Sequence, residues 1–327
     1  CMATRIETLA SILRNAPGSV FIQPHDVPDP DAIASAFGLR YLLSRSGVEA
    51  RVVYERDYEK VDARRMVELL GIELSRARDV ASIDAEDWLV IVDGQKGNAN
   101  IVDLQCVEVA AIDHHALRPD ASYLYSDIRP GCGSCSAMIA EYCFEAGETP
   151  PRMVATALTY GIFVDTDSLT RSVSELDALM FYRLHEFADP DLIRKLRGSQ
   201  LTLRDLSLYA DAFRTVEIYG RLGFLRLVDA DDSLVGAAND IVLSLDEVDV
   251  SVAFSSRREG IKLSVRSLVD AVRADELAKA IVGDLGYGGG HAHMAGGFMP
   301  AESLPESKSA DTFIKHRAIA HLERLGY

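Results

Sequence analysis

Carboxylate and imidazole side chains recur in the first half of the chain, mostly directly after short apolar runs. These side chains are His25, Asp29, Asp31, Asp93, Asp113, His114, His115 and Asp165. Carboxylate oxygens and imidazole nitrogens gathered without thiolates suit a hard or borderline divalent cation, with Mn²⁺ or Mg²⁺ favoured over other transition metals. The residue types therefore predict a metal site assembled from several separate segments.

The number of these side chains is sufficient for two ions. Two cations roughly 3.5–4 Å apart can share a carboxylate and a bridging water, which supplies a hydroxide nucleophile while the cations neutralise phosphate oxygens. Taken singly, each residue is better explained as a turn former, a helix cap or a satisfied histidine. Asp29 and Asp31, for example, precede Ala32 as helix N-terminal residues do. Helix caps do not require histidine, so the clusters together favour the metal interpretation.

The apolar runs that precede these side chains have the composition of β-strands. Strands are predicted at residues 20–22, 50–55, 88–92 and 107–112, with an amphipathic helix at 32–44. The run 159–164 before Asp165 is also apolar, and it is either a strand or a helix. The βαβ pattern predicts a mostly parallel, doubly wound α/β sheet with helices on both faces. Ligands bind such sheets beyond the carboxyl ends of the strands, where these loops should converge.

The second half of the chain has a different pattern. Segment 151–206 has helical spacing and few strand signals. Beyond it we predict strands at 222–227, 248–255 and 260–265, helices at 232–244, 275–285 and 311–325, and a glycine-rich loop at 288–291. The chain should therefore comprise a metal-binding domain at 1–188, a helical linker at 189–219 and a smaller α/β domain at 220–327.

The composition excludes several functional classes. The chain has 34 basic and 50 acidic side chains and a net charge of −16, which opposes the many phosphate contacts that hold duplex DNA. No apolar run approaches the ~20 residues that a membrane helix requires, so we expect no membrane partner. The N-terminus lacks a basic stretch followed by an apolar core, so we expect a cytoplasmic location. A short or small anionic substrate fits this charge better.

The residues together resemble the DHH phosphoesterase superfamily, whose name-giving signature corresponds to Asp113-His114-His115. The other motifs of the first domain are His25-x-x-x-Asp29-x-Asp31-Ala32-x-x-Ser35, the strand-ending Asp93, and Gly161-Ile162-Phe163-Val164-Asp165-Thr166. The motifs that resemble the substrate-binding DHHA1 domain are Ser264-Val265-Arg266-Ser267 and Gly288-Gly289-Gly290-His291-x-x-x-Ala295-Gly296-Gly297. The resemblance covers nearly the whole chain, and the motifs stand in the family's order.

The resemblance implies two sets of metal ligands and a catalytic group. The ligands would be His25 and Asp29 for one ion, and Asp31, His114 and Asp165 for the other. Asp93 would bridge the two ions. Asp113 would support the neighbouring histidines, as a carboxylate beside a ligating imidazole commonly does, and His115 would face the substrate. Catalysis would then depend on Asp93, Asp113 and His115.

The resemblance also implies which residues hold the substrate. They are His115, Arg266, Ser267, Gly288, Gly289, Gly290 and His291. A planar guanidinium matches a phosphate group, and glycine lets backbone N–H groups approach an anion closely. Judged from the residues alone, Arg266 could equally be an exposed strand residue, and the glycine run 288–290 could be a flexible turn.

Two positions depart from the family pattern. Pro30 stands where a glycine commonly separates the two aspartates, and it should stiffen that loop without removing either ligand. The run 94–98 after Asp93 differs from the threonine-containing sequence common among relatives. These departures concern the choice of substrate more than the binding of metal.

The leading hypothesis is hydrolysis of short single-stranded oligonucleotides or small nucleotide phosphates, similar to nanoRNases and 3′-phosphoadenosine 5′-phosphate phosphatases of the superfamily. One alternative is cleavage of linear or cyclic dinucleotides, and another is a nucleotide-binding sensor without turnover. Inorganic pyrophosphatase is disfavoured because relatives with that activity carry a different C-terminal domain. The sequence leaves the oligomeric state open, a homodimer included.

Overall fold

The computed structural model describes residues 3–56, 61–80, 83–98, 100–119, 122–198, 202–304 and 309–327. The chain divides into two compact units, an N-terminal unit of residues 1–200 and a C-terminal unit of residues 201–327. Among the described residues, no helix is both long and apolar enough to span a bilayer. The finer division into two domains and a linker stays a prediction.

The N-terminal unit is built on a six-stranded sheet in which all paired strands run parallel. Its strands are β1 Val20–Gln23, β2 Ala50–Tyr54, β3 Ser75–Arg76, β4 Trp88–Val92, β5 Val107–Asp113 and β6 Tyr125–Ile128. Their order is β3-β2-β1-β4-β5-β6, so the direction of winding reverses between β1 and β4. Val20 pairs with both Ala50 and Trp88 there. Such a reversal opens a crevice at the carboxyl ends of the strands.

The helices of this unit pack on one face of the sheet. They are α1 Arg5–Leu13, α2 Pro30–Arg45, α3 Val61–Leu70, α4 Cys135–Glu145, α5 Arg152–Asp165, α6 Glu175–His185 and α7 Pro190–Arg197. Successive strand residues point to opposite faces, so Ile22 joins the core beneath the helices whereas Phe21 joins a second apolar cluster. Ile101 and Leu104, which are loop residues, cover that second cluster.

The predicted α/β class and mostly parallel, doubly wound sheet are confirmed, but the expected helices on the second face are absent from the described residues. The right-handed connections that lead from β4 to β6 fall on that face. The connection between β4 and β5 spans only residues 93–106, and in its described part it forms turns instead of an α-helix. In the described residues, turns, loops and one short 3₁₀ helix, Ala77–Asp79, therefore cover the second face.

Several helix ends match the local chemistry of the sequence. The Asp29 side chain caps α2 by accepting hydrogen bonds from the N–H groups of Asp31 and Ala32, and Pro30 occupies the first helical position, where its missing N–H costs nothing. Ser134 caps α4 in the same way, with its hydroxyl accepting from the N–H of Ala137. These caps fix the entry of both helices at the carboxyl end of the sheet.

The C-terminal unit holds a second six-stranded sheet, in the order β11-β12-β10-β9-β8-β7. Its elements are α8 Leu203–Phe213, β7 Glu217–Tyr219, β8 Leu222–Val228, α9 Asp232–Leu243, β9 Val250–Arg257, β10 Gly260–Ser267, α10 Ala274–Val282, β11 Tyr287–Gly290, β12 Met294–Pro300 and α11 Ala310–Leu325. Among the described strands of this second sheet, only β8 and β9 pair in parallel, and the other pairs are antiparallel. The helices α10 and α11 cover one face, and α8 and α9 cover the other.

The structure settles one open question and corrects one prediction. The run 159–164, which the sequence leaves open as a strand or a helix, is helical, and Asp165 ends α5, because the run continues the apolar face of a segment that starts at Arg152. The glycine run 288–290 belongs to the edge strand β11, where Gly288 and Gly289 pair with Gly297 and Gly296 of β12. Glycine is disfavoured in strands, so local propensity opposed a pairing that the neighbouring strand imposes.

Candidate metal centre

The predicted ligands of the N-terminal unit converge at the carboxyl ends of β1, β4 and β5. His25 follows β1, Asp93 follows β4, and His114 follows β5. The start of α2 adds Asp29 and Asp31, and the end of α5 adds Asp165. The cluster therefore lies where the sheet reverses its winding, which is the ligand-binding position of this kind of fold.

One group of ligand atoms surrounds His25. Its Nε2 lies 3.8 Å from Oδ2 of Asp29 and 3.6 Å from Oδ2 of Asp93. One ligand atom from each of these three side chains lies within 4.8 Å of the others, which is close enough for a single cation to contact all three. Asp29 serves two purposes, since its Oδ1 caps α2 while its Oδ2 faces His25. We call His25, Asp29 and Asp93 the first ligand group.

A second ligand group consists of Asp31, His114 and Asp165, whose ligand atoms again lie within 4.8 Å of one another. His114 Nε2 is 3.3 Å from Oδ2 of Asp165 and 3.2 Å from Oδ1 of Asp93. The ring is oriented from its other side, where Nδ1 lies 3.2 Å from the carbonyl oxygen of Cys132. A proton on Nδ1 donates to that carbonyl and leaves Nε2 directed at the carboxylates.

Asp93 lies between the two groups. Its Oδ2 faces His25, whereas its Oδ1 faces His114, and the side chain is 4% exposed. Its backbone adopts a φ of 56°, in the left-handed region that few residues other than glycine enter. No hydrogen bond of normal geometry reaches the buried Oδ1 atom, although His114 Nε2 lies 3.2 Å from it. A buried carboxylate oxygen without a donor is costly, and a cation on each side of Asp93 would satisfy it.

The electrostatics of the cluster also favour cations. Asp31 is fully buried, and its two oxygens accept from the N–H groups of Cys135 at 2.8 Å and Ser136 at 2.9 Å, at the start of α4. Burial first, and then the charges of Asp93 and Asp165, raise the pKa of Asp31 well above its usual range. Burial first, and then the charges of Asp93 and Asp29, raise the pKa of Asp165 to about 6 against the opposing charge of His114. Carboxylates crowded in this way repel one another unless a proton or a cation intervenes.

His114 responds to the same negative charge. Burial disfavours its charged form, but the nearby carboxylate of Asp93, with the charges of Asp31 and Asp165, raises the pKa of His114 to about 11 when no cation is present. A proton on Nε2 of His114 thus occupies the position that a cation would take. The donor set of carboxylates and imidazoles fits divalent metal ions of the Mn²⁺ and Mg²⁺ type.

A chain of hydrogen bonds beside the cluster holds His115. Its Nδ1 lies 2.8 Å from Oδ1 of Asp113, and its ring is more than half exposed. The other oxygen of Asp113 accepts from the Nε2 amide of Gln95 at 2.7 Å. The Asp113 hydrogen bond is the main cause that raises the pKa of His115. Asp113 contacts His115 and not His114, so the support expected for both histidines reaches only one of them directly.

The C-terminal unit places the predicted substrate residues near one another. Arg266 and Ser267 end β10, Arg266 pairs in register with Met294, and the carbonyl of Met294 accepts from the N–H of His291. The glycine run 288–290 lies on the adjacent strand β11. Arg266, His291 and the glycine strand therefore meet at the same end of three neighbouring strands.

Arg266 is nearly buried, contrary to the simple view of an exposed strand residue. Its Nε lies 2.6 Å from Oδ1 of Asp240, and its Nη1 donates to the Ser264 hydroxyl at 2.9 Å. The side chain is 10% exposed. A Cβ atom at position 236 would lie 3.3 Å from Nη2 of Arg266. Gly236 therefore leaves that side of the guanidinium uncrowded.

Sequence reasoning missed the residues that orient the ligands. Gln95 binds Asp113, the carbonyl of Cys132 accepts from His114, and the first N–H groups of α4 bind Asp31. The departure from the family pattern at 94–98 pointed to the loop that contains Gln95. Contacts between segments about a hundred residues apart, such as that of Asp31 with Ser136, leave no local signal.

Comparisons with known proteins agree with this architecture. The model of the DHH family N-terminal domain matches residues 19–162, and the model of the DHHA1 domain matches residues 222–315. An uncharacterized protein of Methanocaldococcus jannaschii is 29% identical over 86% of this chain, and the chain spans 58% of the length of that relative. A probable manganese-dependent inorganic pyrophosphatase of Streptococcus pyogenes is 23% identical over 80% of this chain and 86% of its own length.

Solved structures share the fold. An exopolyphosphatase-related protein from Bacteroides fragilis superposes with a TM-score of 0.76 and 18% identity, covering 99% of this chain and 98% of the other. RecJ from Thermus thermophilus in complex with Mn²⁺ gives a TM-score of 0.56 at 18% identity, covering 99% of this chain and 55% of RecJ. The two matching family models occupy most of the chain and include His25, Asp29, Asp31, Asp93, His114 and the glycine strand, while Asp165 lies three residues beyond the first match. The chain therefore belongs to the DHH phosphoesterase superfamily, with a DHH domain followed by a DHHA1 domain.

Proposed function

We propose that this protein is a metal-dependent phosphoesterase that hydrolyses short oligonucleotides or small nucleotide phosphates with two divalent cations, Mn²⁺ in preference to Mg²⁺. The observation that carries the proposal is the position of Asp93, whose two oxygens face His25 and His114 from opposite sides. A carboxylate so placed suits the bridging ligand of a two-metal site. The named activity of the pyrophosphatase relative and the Mn²⁺ in RecJ support the choice of metal.

The residues of the chain would divide the work of hydrolysis. When bound, the two cations supply Lewis-acid activation of water and neutralise charge on the phosphate. His115 is exposed and keeps a raised pKa through Asp113, so its Nε2 can donate a proton or hydrogen bond to a phosphate oxygen or the leaving group. Asp113 holds the His115 ring by its Nδ1 atom and thereby fixes which nitrogen faces the substrate.

The C-terminal unit would bind the substrate. Arg266 offers a guanidinium whose position is fixed by Asp240, and Gly289 in the glycine strand has no atom within 4 Å of where a Cβ would lie, which leaves room for an anion to approach the backbone there. Ser267 and His291 lie beside them. The net charge of −16 is consistent with a short or small substrate, because a long polyanion would be repelled.

A single assay tests the proposal against its alternatives. Purified protein with Mn²⁺ is offered a two-nucleotide RNA, a five-nucleotide RNA, a 3′,5′-bisphosphate nucleotide, a cyclic dinucleotide and pyrophosphate. Turnover of the five-nucleotide RNA or the bisphosphate supports the proposal, and turnover confined to the two-nucleotide RNA or the cyclic dinucleotide assigns the protein to the first alternative. Binding without turnover of any compound would leave the sensor hypothesis and refute the enzyme.

The variant Asp93→Asn tests the bridging role. Asparagine tolerates a positive φ, so the backbone at this position should be retained while the charge is lost. We expect metal-dependent activity to disappear and unfolding to stay cooperative. Asp103→Ala, which removes an exposed carboxylate of the same unit, serves as the matched control and should stay active. Full activity in Asp93→Asn would contradict the assignment.

A further inference from the structure

Asp177 in α6 is a buried carboxylate with contacts beyond its own helix. It has no exposed surface, and its Oδ2 accepts from the N–H of Ser174, which completes a capping box at the start of α6. The same oxygen accepts from the N–H of Gly133 at 2.7 Å, and Oδ1 accepts from the Ser134 hydroxyl at 2.7 Å. A helix cap needs only the first of these contacts, so the contacts with Gly133 and Ser134 require another explanation.

The segment that Asp177 holds leads directly to the second ligand group. The carbonyl of Cys132 orients His114 through Nδ1, at 3.2 Å. Ser134 caps α4, whose next two N–H groups, those of Cys135 and Ser136, bind the carboxylate of Asp31. Both His114 and Asp31 are thus oriented by backbone atoms that flank the residues bound to Asp177.

The packing around Gly133 leaves little room for movement. A Cβ atom at this position would lie 2.6 Å from the carbonyl oxygen of Ser172, 2.8 Å from Oδ2 of Asp177 and 2.9 Å from Cγ2 of Thr166. Thr166 directly follows Asp165, the third member of the second ligand group. The loop, α6 and the segment after Asp165 therefore meet at one tightly packed point.

We propose that Asp177 is a positioning residue for the second ligand group, and this inference rests on the proposed two-metal function. Asp177 fixes the loop 132–134, which presents the carbonyl of Cys132 to His114 and leads directly into the first two N–H groups of α4, which bind Asp31. Removal of the Asp177 side chain should weaken the binding of the ion held by the second ligand group and leave the binding of the other ion unchanged. The reason is that the contacts of this segment reach His114 and Asp31. Groups that orient metal ligands typically contribute roughly 10–100-fold to affinity.

The first test measures Mn²⁺ binding by equilibrium dialysis in Asp177→Ala and Ser174→Ala. Ser174→Ala removes the hydroxyl of the capping box but leaves the contacts of Asp177 with Gly133 and Ser134 in place. We expect Asp177→Ala to bind one Mn²⁺ with wild-type affinity and the other at least ~10-fold more weakly. Ser174→Ala should bind both ions as wild type does. Equal weakening of both ions, or wild-type binding of both, in Asp177→Ala would overturn the inference.

A milder variant covers the case in which Asp177→Ala does not fold. In Asp177→Asn the amide oxygen can still accept from Gly133 while the amide nitrogen donates to Ser134, so the loop keeps part of its support. We expect the affinity of Asp177→Asn for the ion of the second ligand group to lie between the affinities of wild type and Asp177→Ala. If the alanine variant is unfolded, the affinity of Asp177→Asn should still be lower than that of wild type. An affinity equal to that of wild type for both ions would count against the role of the charge and overturn the inference.

The second test uses metal-free protein and separates this inference from the proposed function. The N–H groups of Cys135 and Ser136 donate to Asp31, so they should be protected from hydrogen exchange. We expect exchange at both amides to be at least ~10-fold faster in Asp177→Ala or Asp177→Asn than in wild type and Ser174→Ala. Unchanged protection would overturn the inference. Wild-type protein that binds no Mn²⁺ would refute the proposed function, and hydrogen exchange would still decide the role of Asp177.

Discussion

Replacing Gln95 by methionine tests how strongly the loop after β4 supports His115. Gln95 is fully buried; its Nε2 donates to Asp113 at 2.7 Å and to the carbonyl of Ala116 at 3.0 Å, and its Oε1 accepts from the N–H of Arg118 at 2.8 Å. Methionine has a similar length and shape, so the substitution removes hydrogen bonds with little change in volume.

The expected loss of stability follows from these three bonds. A hydrogen bond to an ionised carboxylate contributes about 1.5–3 kcal/mol and a neutral one about 0.5–1.5 kcal/mol, so losing one of the first kind and two of the second should lower the free energy of unfolding of Gln95→Met by about 2.5–6 kcal/mol. The bond from Gln95 also favours the ionised form of Asp113, which in turn favours the charged form of His115. We therefore expect kcat to fall roughly 10–100-fold, as for other groups that orient active-site ligands.

Urea unfolding of the metal-free protein measures the first effect, and kcat on the best substrate of the assay panel measures the second. Asn98→Ala is the matched control, because it removes an exposed bond from Arg118 Nε in the same loop. It should change stability by no more than about 0.5 kcal/mol. A Gln95→Met variant with the stability and kcat of wild type would refute the reasoning.

Two further predictions concern pH and the glycine strand. Because the pKa of Asp165 is raised to about 6 in the metal-free protein, a proton competes with the metal below that pH, so Mn²⁺ affinity measured by calorimetry should rise as the pH increases from 5 to 7. Because the pKa of Asp165 is raised on folding, the metal-free protein loses stability as the pH rises through about 6. The increase in Tm on adding Mn²⁺ should therefore be larger at pH 7 than at pH 5. A smaller increase at pH 7 would contradict the assignment of Asp165 as a ligand. Gly289→Ala should fold normally, because a Cβ there meets nothing within 4 Å, yet it should raise KM by obstructing the approach of an anion to the strand. An unchanged KM would show that this strand does not bind the substrate. Gly47→Ala lies outside both proposed sites but is not a suitable control, because the φ of Gly47 is 75° and alanine would be strained there.

The apolar runs of the sequence predicted most of the parallel sheet because each run is both buried and rich in β-branched residues. The prediction for 88–92 agrees with β4, and the prediction for 107–112 falls one residue short of β5. The strand β6, Tyr125–Ile128, was missed because Asp127 interrupts its apolar pattern. Asp127 is stabilised by Arg129 and by the hydroxyl of Tyr142, neither of which the strand itself contains.

The convergence of the predicted ligands could be foreseen because they follow strands or lie at an end of a helix, and the fold brings such positions together. Local sequence does not contain the contacts that orient those ligands. The contact of Asp31 with Cys135 joins segments 104 residues apart, and that of Asp177 with Gly133 joins segments 44 residues apart. Such contacts depend on how α2, α4 and α6 pack, which periodicity alone does not determine.

The most direct test of the central claim is anomalous diffraction at the manganese absorption edge from crystals grown with Mn²⁺. Two peaks are expected, roughly 3.5–4 Å apart, one beside His25 and Asp29 and the other beside Asp31, His114 and Asp165, with Asp93 contacting both. A single peak, or two peaks without Asp93 between them, would contradict a two-metal site bridged by this carboxylate.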